Sequence, residues 1–220
     1  MALAKKKATT IALDPEDDRL LSRAAQERGV SRSEFIRQQL SLVLEQYRRH
    51  PKPRSAGIVR ALKERGDEFE LFGATGSAAA LICDTGALID YLVERAPDHR
   101  LFRNAIDRAR TRYVPGLVLA EVDYFLRDER QAMQVFMQDL ARGAFTYAPP
   151  TVGQLARAME VDRRFADLGL GLVDSSVVAL AEWLGIRRLA TRDVRHFAAV
   201  RLRDGQAFEL VVRPTDPDRS

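Results

Sequence analysis

From residue 81 onward, short apolar stretches alternate with longer stretches in which apolar residues recur at helical spacing. The sequence LICD at 81–84 is typical of a buried strand, and TGALIDYLVE directly after it is typical of a helix. Further strands are predicted at 112–116, 144–149, 187–191 and 207–212, with helical patterns between most of them. Strands that alternate with helices predict an α/β fold with a parallel sheet covered by helices.

The first 50 residues have a different organisation. The sequence KATTIAL at 7–13 alternates in character, which predicts a short strand with one buried face. Asp14 and Pro15 are typical of a helix start, and Ser31 with Glu34 forms a capping box that begins a second helix. One strand and two helices bury too little apolar surface to be stable alone. The pattern therefore predicts a homodimer in which two copies pair their strands.

The excess positive charge is concentrated in the N-terminal part of the chain. The net charge is +4, and residues 74–220 carry as many acidic as basic side chains. The lysines all lie before residue 74: Lys5, Lys6, Lys7, Lys52 and Lys63. This distribution either indicates contact with a polyanion such as nucleic acid or serves only solubility.

The strand, the two helices and the turn GVSRSE at 29–34 resemble the ribbon-helix-helix (CopG-like) family of DNA-binding proteins. The resemblance covers residues 5–49, and it implies that the paired strands enter the major groove while the second helices meet phosphate with their N-termini. The residues implied to contact operator DNA are Lys6, Ala8, Thr10, Ala12, Ser31, Arg32 and Ser33. The alternative is a dimerisation module without a DNA role.

Four acidic residues occupy positions where α/β folds build their sites. Asp84 ends the first strand of the C-terminal half, and Asp193 follows the strand at 187–191. Glu121 and Asp174 lie in otherwise apolar helical stretches, where a carboxylate is costly unless it is paired or bound to a metal. Each acid alone could be a helix cap. Together they offer the hard oxygen ligands that suit Mg²⁺ or Mn²⁺.

Four short motifs in order, DTGAL (84–88), AEV (120–122), VDSSVVA (173–179) and TRD (191–193), resemble the PIN domain. The resemblance covers essentially all of 81–213, and it implies a metal-dependent endoribonuclease that cleaves RNA with metal-activated water. It also implies a catalytic, metal-binding cluster made of Asp84, Glu121, Asp174 and Asp193, with supporting hydroxyls from Thr85 and Thr191.

A ribbon-helix-helix module followed by a PIN domain resembles a VapBC-type toxin–antitoxin pair, here joined in one chain. The resemblance implies that an antitoxin tail, predicted as a short helix and an extended piece, lies across the nuclease and blocks it, within one chain or between two. The expected domains are a ribbon-helix-helix domain (1–50), a neutralising tail (51–73), a linker (74–80) and a PIN domain (81–220). The tail residues implied to neutralise are Ile58, Arg60, Leu62, Arg65, Phe69, Leu71 and Phe72, of which Arg60 or Arg65 could enter the acidic pocket.

Composition excludes several other classes. No stretch approaches 18 apolar residues, and the first ten residues lack the apolar segment of a secretory signal, so neither a membrane span nor secretion is expected. A single cysteine cannot form an internal disulfide, which favours a reducing compartment such as the cytoplasm. Cys83 and Trp183 are expected in the core, Asp90 and Asp123 are expected to face solvent, and His196 is expected to pack or cap.

Two functions remain open on the sequence alone. In the first, the protein is a ribonuclease held inactive by its own N-terminal part, and its dimer binds operator DNA for autoregulation. In the second, the PIN half is catalytically silent, and the protein is a dimeric DNA-binding transcriptional repressor. The presence of all four acids favours the first.

Overall fold

The computed structural model describes residues 10–45, 50–61, 71–74 and 80–214. The chain divides into two compact units, residues 1–43 and 44–220. The first unit contains helix α1 (Pro15–Glu27) and the start of helix α2 (Arg32–Glu45). Among the described residues, no helix is both long enough and apolar enough to cross a bilayer.

The N-terminal unit begins its helices where the sequence predicts. The Asp14 carboxylate accepts hydrogen bonds from the backbone N–H groups of Glu16 and Asp17, both at 2.9 Å, and so caps α1. The Ser31 hydroxyl accepts from the N–H of Glu34 at 3.1 Å and begins α2. Residues 10–13 form no strand in this single copy, and the rest of the predicted strand lies outside the described residues. The intermolecular ribbon stays a prediction.

The predicted parallel sheet is confirmed in the C-terminal unit. Its five strands are all parallel, and their order is β4-β3-β2-β5-β6. Its strands are β2 (Leu81–Cys83), β3 (Arg112–Pro115), β4 (Thr146–Ala148), β5 (Arg188–Ala190) and β6 (Glu209–Leu210). A separate antiparallel pair joins β1 (Leu71–Ala74) to β7 (Val212–Pro214).

Helices connect and cover the sheet. They are α3 (Thr85–Leu92), α4 (His99–Arg108), α5 (Gly116–Phe125), α6 (Arg130–Ala141), α7 (Val152–Arg164), α8 (Gly171–Leu184) and α9 (Val194–Ala199), with a short 3₁₀ turn at Ala166–Leu168. Every residue of β2, β3 and β5 is buried, because parallel strands are covered on both faces. Tyr91, Phe136 and Phe145 pack edge to face beside the sheet.

Three predictions about single side chains have clear outcomes. Cys83 is fully buried in β2, as expected. Asp90 does not face solvent: it is fully buried in α3, where one carboxylate oxygen lies 3.7 Å from the Arg192 guanidinium. Trp183 is not in the core but 43% exposed, because it lies on a face of α8 that the buried Leu180 and Leu184 do not share.

The tail segment at 50–61 contains no helix. Of the short helix predicted from apolar spacing between Ile58 and Gly66, only residues 58–61 are described, and they are not helical. Residues 55–58 form a turn, and Val59 forms a parallel bridge with Val93 just after α3. The buried apolar residue is Val59, at 3% exposure, whereas Ile58 is 41% exposed. Tertiary hydrogen bonds with the end of α3 fix this backbone, and the helical spacing of the sequence does not reveal them.

Candidate active site

The carboxyl ends of the central strands bring acidic side chains to one edge of the sheet. Asp84 directly follows β2, and its N–H donates to the carbonyl of Ala190 in β5 at 2.9 Å. Asp193 lies three residues beyond the end of β5. Although Asp84 precedes α3, its side chain makes no capping hydrogen bond with that helix. The simple helix-cap interpretation of Asp84 is therefore wrong.

Asp84 lies in the most buried part of this edge, with only 5% of its surface exposed. The pKa of Asp84 is raised from 3.8 to about 6, mainly by burial and also by the charges of Glu121 and Asp193, although a hydrogen bond from Thr191 acts in the opposite direction. Glu121 and Asp193 therefore lie close enough to act on Asp84 electrostatically. A carboxylate that is held among other carboxylates and away from water favours a cation beside it.

Two threonine hydroxyls connect the acids, as the sequence predicts for supporting residues. Thr191 donates from its hydroxyl to Oδ2 of Asp84 at 2.7 Å and accepts from the N–H of Asp193 at 2.9 Å. Thr85 donates to Oε2 of Glu121 at 2.6 Å. These bonds orient the carboxylates of Asp84 and Glu121 and hold the backbone at Asp193.

The fourth acid, Asp174, lies in the first turn of α8 and faces Asp193. A carboxylate oxygen of each and a ring nitrogen of His196 lie within 4.8 Å of one another, which is close enough for a shared metal ion. The ring nitrogen Nδ1 of His196 is 2.5 Å from Oδ2 of Asp193. The backbone N–H of His196 donates to Oδ1 of the same carboxylate at 3.0 Å. From the sequence, His196 is expected only to pack or to cap, whereas its position beside two acids makes it a further candidate metal ligand. Its spacing three residues after Asp193, within one turn of α9, is the sequence feature that places it here.

The tail residues named from the sequence lie in three different situations. Ile58 and Arg60 are exposed. The Arg60 carbonyl accepts from the N–H of Arg95, beyond the end of α3 that is opposite Asp84. Leu71 and Phe72 belong to β1, which pairs with β7. The remaining predicted residues, Leu62, Arg65 and Phe69, lie outside the described part of the chain.

The residues predicted to meet DNA are exposed where they are described. Thr10 and Ala12 precede α1, and Ser31 and Ser33 lie at the start of α2. The Arg32 guanidinium forms an ion pair with Asp18 on α1. Lys6 and Ala8 lie outside the described residues.

Comparisons with known proteins agree with both resemblances. Residues 81–202 match the PIN domain family, and residues 7–47 match the ribbon-helix-helix protein, copG family. The chain is also 31% identical, over 134 residues, to the protein named Ribonuclease VapC26 of Mycobacterium tuberculosis (strain ATCC 25618 / H37Rv). That match covers 60% of this chain and 99% of the relative. The chain therefore belongs to the PIN domain family, and it joins a VapC-like PIN domain to an N-terminal CopG-like ribbon-helix-helix domain.

Proposed function

We propose that this protein is a toxin–antitoxin system in one chain, in which a Mg²⁺- or Mn²⁺-dependent endoribonuclease is neutralised by its own N-terminal part. The observation that carries the proposal is the buried Asp84, whose raised pKa and acidic neighbours make the edge of the sheet a site for a cation. The name of the M. tuberculosis relative supports RNA as the substrate. Because the proposed partners are RNA and operator DNA, we place this function in the cytoplasm.

The donor set fits a hard divalent ion, because carboxylate oxygens line the site and a histidine nitrogen lies beside them. We expect Asp84, Glu121, Asp174 and Asp193 to hold it. A bound ion would make a water molecule a stronger nucleophile and offset the charge that grows on the phosphate oxygens. The hydroxyls of Thr85 and Thr191 keep the carboxylates oriented, so that they need not reorganise when substrate binds.

The cleavage proposal is tested with RNA and Mg²⁺. We expect residues 81–220 to cleave RNA, the full chain to cleave it much more slowly, and Asp84→Asn in the shorter chain to abolish cleavage. Asp123→Asn is the matched control, because Asp123 is an exposed acid paired with Arg130 rather than with the cluster. Equal cleavage by Asp84→Asn and the parent chain would contradict the proposed site. Equal cleavage by the long and short chains would contradict neutralisation.

For the N-terminal unit we propose a homodimer that binds operator DNA and so regulates its own synthesis. Large apolar side chains are exposed around α1, including Ile11 at 51%, Leu13 at 40% and Leu20 at 55%. Such a patch supports coverage by a second copy, as the ribbon-helix-helix arrangement requires. A monomeric full chain in sedimentation experiments, or a lack of binding to DNA from upstream of its own coding sequence, would contradict this part.

A further inference from the structure

Within the C-terminal unit, the segment at 50–61 docks on the part of the chain that matches the PIN family, residues 81–202 and here called the PIN unit, through a buried carboxylate in α6. Oδ2 of Asp139 accepts hydrogen bonds from the backbone N–H groups of Arg54 and Ser55, both at 2.7 Å. Oδ1 of the same carboxylate accepts from Arg142 at 2.8 Å, and Arg142 also donates to the carbonyl of Lys52 at 2.6 Å. Asp139 is only 1% exposed, so its charge depends on these donors.

The carboxylate is held in its charged form by the docked segment. Burial alone would raise the pKa of Asp139, but hydrogen bonds from Ser55, Arg142 and the Arg54 backbone outweigh burial and lower it below its usual value. Two of these donors belong to the segment itself. Removing the segment would leave the buried charge of Asp139 with fewer hydrogen bonds. Asp139 therefore favours the state in which the segment is docked.

The next contact selects a glycine. Gly57 has φ +65, in the left-handed region, and a Cβ there would lie 3.2 Å from Cε1 and 3.3 Å from Nε2 of His99. The Gly57 N–H also donates to the carbonyl of Tyr91 at 2.9 Å. A larger residue would therefore meet both backbone strain and the imidazole ring.

The last contact is made by Val59, through its backbone and its buried apolar side chain. The Val59 N–H donates to the carbonyl of Leu92 at 2.9 Å, and its carbonyl accepts from the N–H of Glu94 at 2.6 Å. These two bonds make an isolated parallel bridge with Val93, so the backbone of the segment is paired as in the recognition of an extended peptide. The Val59 side chain is buried, whereas the side chain of the adjacent Ile58 is exposed. The site therefore contacts every second side chain, as for an extended peptide.

This docking surface lies at the opposite edge of the sheet from the acids. Asp139 lies near the end of α6, shortly before β4 begins at Thr146, whereas Asp84 follows the end of β2. The strands of a parallel sheet run in one direction, so the starts and the ends of strands of about three residues are separated by roughly 10 Å. Residues 50–61 therefore bind without occupying the acidic site.

We propose that this edge of the PIN unit is a peptide-recognition site that reads the Ser-x-Gly-x-Val sequence of residues 55–59 and retains the N-terminal part of the chain independently of the acids. Its partner is an extended segment with two adjacent free N–H groups before a turn, a glycine in the turn and a valine after it. The regulatory meaning of this site rests on the proposed function, but the binding itself does not.

The test uses the full chain with a protease cleavage site placed within 75–79. After cleavage, we expect the N-terminal and C-terminal fragments to stay together in native mass spectrometry and size-exclusion chromatography. Gly57→Ala should increase the rate at which the fragments separate by about tenfold or more, because strain and the His99 contact act together. Gly29→Ala is the matched control, since Gly29 has φ +64 with nothing within 4 Å of its added Cβ.

Asp139→Asn tests the receptor side and should also increase separation about tenfold or more, because it weakens two charge-assisted hydrogen bonds. Folding of each variant is checked by circular dichroism of the uncleaved chain, and Gly57→Ala keeps the test decisive if Asp139→Asn does not fold. Fragments of the parent chain that separate at once, or equal separation rates for Gly57→Ala and Gly29→Ala, would overturn the proposal. Neither readout involves RNA, so failure of the proposed ribonuclease activity is a distinct result.

Discussion

Replacing Asp84 by asparagine should stabilise the protein while it abolishes the proposed activity. The Asp84 side chain is 5% exposed, lies near Glu121 and Asp193, and accepts a hydrogen bond from Thr191 at 2.7 Å. Asparagine has nearly the same shape, and its carbonyl oxygen keeps the hydrogen bond from Thr191. The uncharged amide also removes one of the mutually repelling charges from the site.

The size of the effect follows from the pKa of Asp84. Folding raises that pKa from 3.8 to about 6. At about 1.4 kcal/mol per pH unit, keeping the carboxyl ionised in the folded state at pH 7 costs about 3 kcal/mol. Because the side chain is almost fully buried, solvent does not screen this cost. Asp84→Asn should therefore raise the free energy of unfolding at pH 7 by up to about 3 kcal/mol.

The stability difference between Asp84→Asn and the parent chain should depend on pH in one direction. Because the folded-state pKa lies above the unfolded-state value, the contribution of the protonated carboxyl to stability is complete below pH 3.8 and is lost as pH rises through about 6. Asparagine does not titrate. The stability difference between the variant and the parent chain should thus be near zero at pH 3.8 and grow to its full size by pH 7.

The measurement is urea denaturation of both chains in EDTA, at several pH values between 4 and 7.5. Asp123→Asn, which removes an exposed charge, should change stability by less than about 1 kcal/mol at any of them. Adding Mg²⁺ should stabilise the parent chain and not Asp84→Asn, since ligand binding to the folded state raises its stability. A variant less stable than the parent at pH 7, or an advantage that is the same at pH 4, would refute the reasoning.

Three further changes address the same site. Removing divalent ions with EDTA should abolish RNA cleavage by residues 81–220, and Mg²⁺ or Mn²⁺ should restore it; cleavage that persists in EDTA contradicts a metal-dependent reaction. Gly86→Ala brings its Cβ to 3.0 Å from Cβ of Arg192, so it should lower the free energy of unfolding by about 1–3 kcal/mol and slow cleavage. Gly153→Ala, whose nearest contact is 3.9 Å away, should do neither, and similar denaturation curves for the two variants would count against this packing argument. Thr191→Val removes the hydroxyl that orients Asp84 and should slow cleavage about tenfold in an initial-rate assay, whereas an unchanged rate would exclude a supporting role.

The sequence is most informative where local pattern and tertiary position coincide. Strand β2 is predicted as an unbroken apolar stretch because both faces of a parallel sheet are covered, and the structure buries all three of its residues. The position of Asp84 can be predicted from that strand, because Asp84 is the next residue in the chain. A polar residue at the end of a buried parallel strand reaches the site edge whatever the details of the packing.

The sequence is least informative where a contact joins distant parts of the chain. Asp90 has the spacing of an exposed helical residue, but α3 is covered on that side and Arg192 lies near its carboxylate. Asp139 has a local partner in Arg142, but such a pair is typical of an exposed helix surface and does not predict burial. Its burial depends on Arg54 and Ser55, which lie far before it in the chain. Such pairs depend on three-dimensional packing, which periodicity does not encode.

Helix α3 connects the acidic edge of the sheet to the edge that binds residues 50–61, and its packing limits how binding at one edge can affect the other. Its first residue, Thr85, contacts Glu121 at the acidic edge, and the carbonyls of Tyr91 and Leu92 hold the docked segment at the other end. Seven of the eight residues of α3 are buried, and a helix of that length spans about 12 Å. A densely packed helix moves as one body, so a docked segment could alter the acids only by displacing α3 from the core. We therefore expect neutralisation to be steric, through chain other than residues 50–61, and not a conformational change of the acids.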